Sequence, residues 1–243
     1  MKVMTDITKY KADFHKGTRT TGASRHEGEM TGMTESNLSV ALDQLRRGGM
    51  VVLVDDEDRE NEGDLLVAAE FATPDAIRFM AVHGRGLICL AMSGALVDRL
   101  RLPQMVAANM ARRSTAFTIS IEAREGITTG ISCFDRSHTI LTAINPKSAP
   151  SDIVSPGHVF PLRAQDGGVL VRNGHTEGAV DLMEMAGLLH AGVICEVMAE
   201  HGHMARRPEL EAFARAHGLP ILTIAEVIAF RKEECRKAHQ AIG

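Results

Sequence analysis

The amino-acid sequence predicts an α/β (α+β) fold, a single three-layer α/β/α sandwich around a mixed, twisted sheet. Three observations predict it. Apolar runs of strand length, "MVVLV" among them, alternate with amphipathic helical stretches along most of the chain. Those runs carry few polar residues, as expected of strands covered by helices on both faces. After residue 34 no internal repeat and no long linker interrupts the alternation.

Taken in order, residues 1–33 are polar, rich in Gly, Thr, Lys and His, and without sustained periodicity. They read as a flexible tail ahead of one domain over 34–243. Leu38, Ala41, Leu42 and Leu45 form an i, i+3, i+4, i+7 stripe closed by Arg46, Arg47 and Gly48, which predicts a helix with a C-terminal stop. "MVVLV" reads as a buried strand, and "LLVAAE", beyond an acidic loop, as its partner. "TPDAIRFMAVHG" offers Thr73 as N-cap, Pro74 at the first helical position and Gly84 past the end. "LICLAM" and "FTISIEA" read as strands, and "FDRSHTILTAIN", ahead of Pro146, as a helix. "VFPLRA" and "GGVLVR" then read as short strands, "TEGAVDLMEMAGLL" as a helix and "GVICEVMA" as a strand. "RPELEAFARAHG" (helix), "PILTI" (strand) and a last helix from about Ala225 complete the alternation.

Composition narrows the function classes. With 44% hydrophobic and 24% charged residues and a net charge of −4, this is an ordinary globular chain. It carries no basic footprint for nucleic acid or an anionic membrane surface, so neither is expected as a partner. The apolar runs fall far short of a membrane span, and the N-terminus lacks the order of a secretory signal, so a cytoplasmic protein is expected. Cys89, Cys133, Cys195 and Cys235 are widely spaced, form no C-x-x-C pair, and read as reduced thiols. Aromatic content is 4% with no Trp, so the core must be built from Leu, Ile, Val, Met and Ala.

Two clusters carry chemistry. The first, Asp55 to Asp64, is "DDEDRENEGD", seven carboxylates and one arginine in ten residues. It reads either as a solvated charge run or as a chemical site. The run leaves a buried strand, where α/β sheets place ligand crevices, and re-enters another, which holds like charges together unless a cation offsets them. An EF-hand alignment from Asp58 puts Ala69 where a bidentate Glu is required, so that reading fails and a site for a hard divalent ion survives. The second cluster, "RNGHTEG", lies between a predicted strand and a predicted helix. Thr176 as N-cap, Gly174 for close backbone approach and Arg172 beside the helix dipole outline a phosphate pocket. An ordinary capped helix with a surface arginine accounts for the same residues. His175 alone is ambiguous. Glu196, inside an apolar strand, is paired, at a strand end, or an acid/base group. His158, between Pro156-Gly157 and Pro161, reads equally as a hydrogen-bonded loop histidine.

From about Leu38 to Arg231 the sequence resembles the 3,4-dihydroxy-2-butanone-4-phosphate synthase family of riboflavin biosynthesis. "DDEDRENEGD", "HGRGLICL", "GITTGIS" with Asp135-Arg136, "SPGHVFPLRAQDGGVLVRNGHTE" and "GVICEVM" carry the resemblance, in that order. It implies a lyase that converts D-ribulose 5-phosphate to L-3,4-dihydroxy-2-butanone 4-phosphate and formate, using Mg²⁺ or Mn²⁺, two per site, and no organic cofactor. It implies Glu60 and His175 as metal ligands, and Arg59, Asp64, Arg172, Asn173, Gly174, Thr176 and Glu196 as substrate contacts. His158 and Glu196 would be the acid/base residues, with Glu62 supporting proton transfer; Cys89 matches a position near the site without being a nucleophile. Some relatives fuse a GTP cyclohydrolase II domain behind the synthase, and the chain is too short to be expected to hold one. Family members are homodimers with sites at the subunit interface, so some of these residues are expected from the partner copy.

The residue types suit the implied steps: proton abstraction beside a carbonyl to give a metal-stabilised enediolate, dehydration, skeletal rearrangement and formate release. A metal-dependent sugar-phosphate isomerase or aldolase would use the same parts. A non-catalytic binding module would lack part of the acid/base set.

Overall fold

The computed structural model describes residues 36–242; the tail expected over residues 1–33 lies outside them. The first helix, α1 (Asn37–Arg46), starts where the Ser36 hydroxyl accepts the Ser39 N–H, and buries the stripe Leu38, Ala41, Leu42 and Leu45. β1 (Val51–Val54) and β2 (Gly63–Ala68) pair antiparallel across the acidic loop. α2 (Pro74–Phe79), capped by Thr73 as expected, runs into a single π turn at Met80–Gly84. β3 (Cys89–Met92), α3 (Gly94–Arg99), β4 (Ile121–Ala123), α4 (Cys133–Ile144) and β5 (Ile153–Arg163) follow. α5 (His175–Ala186), β6 (Ala191–Glu196), α6 (Arg207–His217), β7 (Ile221–Thr223) and α7 (Ile224–Ile242) complete the chain.

The seven strands form one mixed sheet in the order β4-β5-β3-β6-β2-β1-β7, parallel at β5/β3 and β1/β7 and antiparallel elsewhere. Successive side chains of β1 face opposite ways, and they join two separate cores. Val52 and Val54 pack with Leu65, Leu90 and Val193 under α2, α4 and α6. Val51 and Leu53 pack with Leu66, Ala91 and Ile194 under α1, α5 and α7. This is the three-layer sandwich expected, and aliphatic side chains build both cores. The four cysteines are free. Among the described residues no helix is long and apolar enough to cross a membrane.

Three local expectations need correction, and one short helix went unexpected. "GGVLVR" is no strand but a 3-10 turn at Gly168–Leu170. The Asp181 carboxylate of α5 takes the Val169 N–H at 3.0 Å, and Gly168 O takes those of Val171 and Arg172, so no ladder forms. Thr176 is the second residue of α5, whose N-cap is Gly174, without a capping side chain. Of "FTISIEA" only Ile121–Ala123 is a strand, while Phe117 and Thr118 make isolated bridges to Leu162 and Gln104. The short helix α3 had no periodic signal.

Asp135, at the start of α4, staples the "GITTGIS" turn. It accepts the Thr128 N–H and hydroxyl and the Gly130 N–H at 2.8–3.1 Å. The hydrogen bond from the Thr128 hydroxyl leads a set that outweighs burial and brings its pKa to about 2. A folded-state pKa below the unfolded one stabilises above the unfolded value and loses that contribution as pH falls through the folded one. Asp135→Asn is therefore expected to lower the melting temperature at neutral pH. The deficit should shrink between the ordinary 3.8 and about 2. A deficit constant across that window would contradict the assignment.

Candidate active site

Asp55, directly after β1, shapes the acidic loop. Its Oδ1 accepts the Glu62 N–H at 2.8 Å, and its Oδ2 accepts the Glu60 N–H at 3.0 Å and pairs with Arg59 Nη1 at 2.8 Å. Those contacts fold the loop so that Glu60 and Glu62 turn inward, and Asp56, Glu57 and Asp58 stay exposed. From the N-cap position of α6, Arg206 donates to the Glu60 carbonyl at 2.7 Å and to that of Asn61. Sequence reasoning missed Asp55 and Arg206, because a carboxylate serving its own loop and one serving a ligand look alike in a run of seven.

A cavity of about 140 Å³ opens where β1 and β6 end and β2 and β3 begin. Arg59, Glu60, Glu62, Asp64, Arg172, His175, Thr176 and Glu196 line it with Cys89. Two distant clusters of the sequence thus meet. Asp64 and Glu196 are register partners on β2 and β6, which places both carboxylates at one end of the sheet. Glu196 also accepts the Leu87 N–H at 2.8 Å; at the intervening Gly86 any Cβ would strike Glu196. A second cavity of about 400 Å³ adjoins, sharing Arg59 and Arg172 and bordered by Arg112, Arg113 and Asn173.

The strongest sign of a ligand site is a pair of buried atoms. Asp64 Oδ1 and His175 Nε2 have no hydrogen-bond partner and lie 4.0 Å apart, and His175 Nδ1 is 3.9 Å from Glu60 Oε2. A hard divalent ion at ~2.1 Å from its donors can bridge either separation, through one ring nitrogen at a time: Nδ1 with Glu60, or Nε2 with Asp64. Burial keeps the His175 pKa down, so the imidazole is in the neutral form that ligates metals. Burial, then the Glu196 and Glu60 carboxylates, push that of Asp64 well up, and Glu62 is raised by burial and Glu60. A bound cation would offset that repulsion between carboxylates. Asp55 also lies within 4.8 Å of Glu60 and His175, but both its oxygens are already occupied, so it is the weaker ligand candidate. Glu60 at His175 Nδ1 and Asp64 at His175 Nε2 are the acidic groups that flank the ring.

Arg172 is less free than the sequence suggests. Its guanidinium donates to the buried Glu177 carboxylate, to the Arg113 carbonyl at 3.1 Å and to the Thr115 hydroxyl at 3.4 Å. A Cβ at Gly174 would press on Arg172 Nη1 and lie 3.0 Å from Arg59 Nη2, so glycine lets two guanidiniums close over the open start of α5. Cys89 is held as a thiol by burial, then by Glu196, which removes the thiolate a nucleophile needs. His158 does not line either cavity; its Nδ1 contacts Glu122 at the β4/β5 edge.

The family model for 3,4-dihydroxy-2-butanone 4-phosphate synthase matches residues 39–230. A synthase of that name from Neisseria meningitidis serogroup B is 58% identical over 190 residues, 78% of this chain and 52% of that protein. The chain therefore spans about half the length of that relative. A synthase from Vibrio cholerae is 53% identical over 191 residues, 79% of this chain and 88% of that protein. A solved synthase structure in complex with two magnesium ions superposes with a TM-score of 0.77 at 40% identity, covering 80% of this chain and 95% of that one. Across most of its length, this chain belongs to the 3,4-dihydroxy-2-butanone 4-phosphate synthase family.

Proposed function

We propose that the protein converts D-ribulose 5-phosphate to L-3,4-dihydroxy-2-butanone 4-phosphate and formate, as a lyase of riboflavin biosynthesis in the cytoplasm. The observation that carries the reading is the buried, unpartnered pair Asp64 Oδ1 and His175 Nε2 beside Glu60. Glu60 and His175 would hold Mg²⁺ or Mn²⁺, with Asp64, expected as a substrate contact, facing the ring's other nitrogen; a solved relative in complex with two magnesium ions supports a proposal of two ions per site. Bound there, the metal supplies Lewis-acid polarisation of the sugar's oxygens. No organic cofactor is needed for these steps.

The chain's own groups divide the rest. The N–H groups at the open start of α5, Thr176, Asn173 and Arg172 would hold the phosphate, favoured by the helix dipole. Arg59 bridges the two cavities and would orient the sugar between them. Glu196, fixed by the Leu87 N–H, and Glu62, raised toward proton exchange, would move protons at the substrate's carbons and hydroxyls. His158 would complete the set from a second copy in a homodimer, across the sheet edge that carries Glu122. Exposed Ile131 on the adjacent turn and Phe134 at the start of α4, 54% and 74% accessible, support such a contact.

Incubation with ribulose 5-phosphate and Mg²⁺ tests the function. Formate release, abolished by a chelator and restored by Mg²⁺ or Mn²⁺, is expected. Interconversion with another pentose phosphate and no formate would identify an isomerase instead.

A further inference from the structure

We propose that Glu122 is the positioning residue for His158, holding Nδ1–H and leaving Nε2 as the atom that accepts and returns a proton. The inference rests on the acid/base role proposed for His158 and deepens it. Its source is a pairing irregularity. Ile121 of β4 is opposite Val159 of β5, but the next residue, Glu122, is opposite Val154, so Ser155 to His158 bulge out of the ladder. A bulge re-aims side chains, and here it brings His158 onto Glu122 instead of leaving it in the strand's alternation.

The surroundings hold that contact in place. The Gly157 N–H donates to the Ser120 hydroxyl at 3.1 Å, and a Cβ at Gly157 would collide with the Ile121 backbone. From the other side Gly130, at φ +87°, packs over the pair: a Cβ there would strike the Glu122 carboxylate and sit 2.6 Å from His158 Nδ1. The left-handed backbone and the missing side chain are both required. Gly130 is itself held by the Asp135 carboxylate at 3.1 Å, so the stapled "GITTGIS" turn is one wall of the Glu122–His158 pair. The carboxylate side chain is 14% exposed and the imidazole 45%, so the partner is covered while the ring stays accessible. A carboxylate on one ring nitrogen selects the tautomer and frees the other nitrogen as a base. Among the described residues of one chain, neither contacts Glu60 or His175, so the pair is built apart from the residues proposed to hold the metal.

Nitrogen-15 shifts of labelled histidine in the full-length protein read the tautomer directly. His158 is expected as the Nδ1–H form in the wild type and predominantly as Nε2–H in Glu122→Ala. In formate release, Glu122→Ala is expected to lower kcat about 10- to 100-fold with KM little changed, and to have no further effect in a His158→Asn background. Glu122→Gln, whose amide oxygen still accepts from Nδ1, should recover most of kcat. An Nε2–H tautomer in the wild type would overturn the proposal without any variant. So would full kcat in Glu122→Ala alongside an inactive His158→Asn. A wild-type protein that releases no formate would instead overturn the proposed function, and the tautomer would still decide the pairing.

Discussion

His175→Ala is expected to abolish formate release, a loss of at least ~1,000-fold in kcat if the ion carries the electrostatic stabilisation of the reaction. Mn²⁺ affinity, read by calorimetry, should fall with it by about 10-fold or more. The fold should survive. His175 Nε2 has no protein partner, so its removal leaves no hydrogen-bonding group of the protein stranded at that atom. It also relieves the cost of an unsatisfied buried polar group, about 1–3 kcal/mol. Glu60→Gln should act in the same direction, keeping shape while losing the charge that faces His175 Nδ1. Wild-type turnover in either variant would remove these residues from the metal site.

Asp55→Ala is expected to do the opposite kind of damage, costing stability and activity together. Its carboxylate is buried and carries two backbone N–H groups and the Arg59 guanidinium. Removing one partner of a buried, hydrogen-bonded ion pair costs about 3–5 kcal/mol. In a domain of this size that corresponds to a fall in melting temperature on the order of 10 °C. Turnover should drop with it, since Glu60 and Glu62 take their direction from Asp55. Substituting alanine for exposed Asp58, three residues along, should change stability by less than about 0.5 kcal/mol. Equal melting temperatures for the two variants would show that Asp55 does not organise the loop.

The two experiments separate what the acidic run concealed. Glu60 and Asp55 are five residues apart and chemically alike, yet one points into a cavity and the other is consumed by its own loop. In the same way His158 reads as one more loop histidine until the β4/β5 bulge sets Glu122 against it. "GGVLVR" carries a strand's composition, but Asp181 from the following helix takes the Val169 N–H needed for a ladder. In each case the deciding contact comes from outside the local pattern.

The sequence by itself determined the layered α/β fold, most helix starts and stops, and the two clusters from which the site is built. Those properties follow from periodicity, caps and turn chemistry, which act over a few residues. Tertiary structure alone decided that Asp64 and Glu196 share one end of the sheet, that Asp64 Oδ1 and His175 Nε2 are left without hydrogen-bond partners, and which carboxylate serves the loop. It also decided that His158 stands apart from the cavity with Glu122. Those facts depend on strand register and on which buried group finds a hydrogen-bond partner, and both are settled only when segments far apart in the chain pack together.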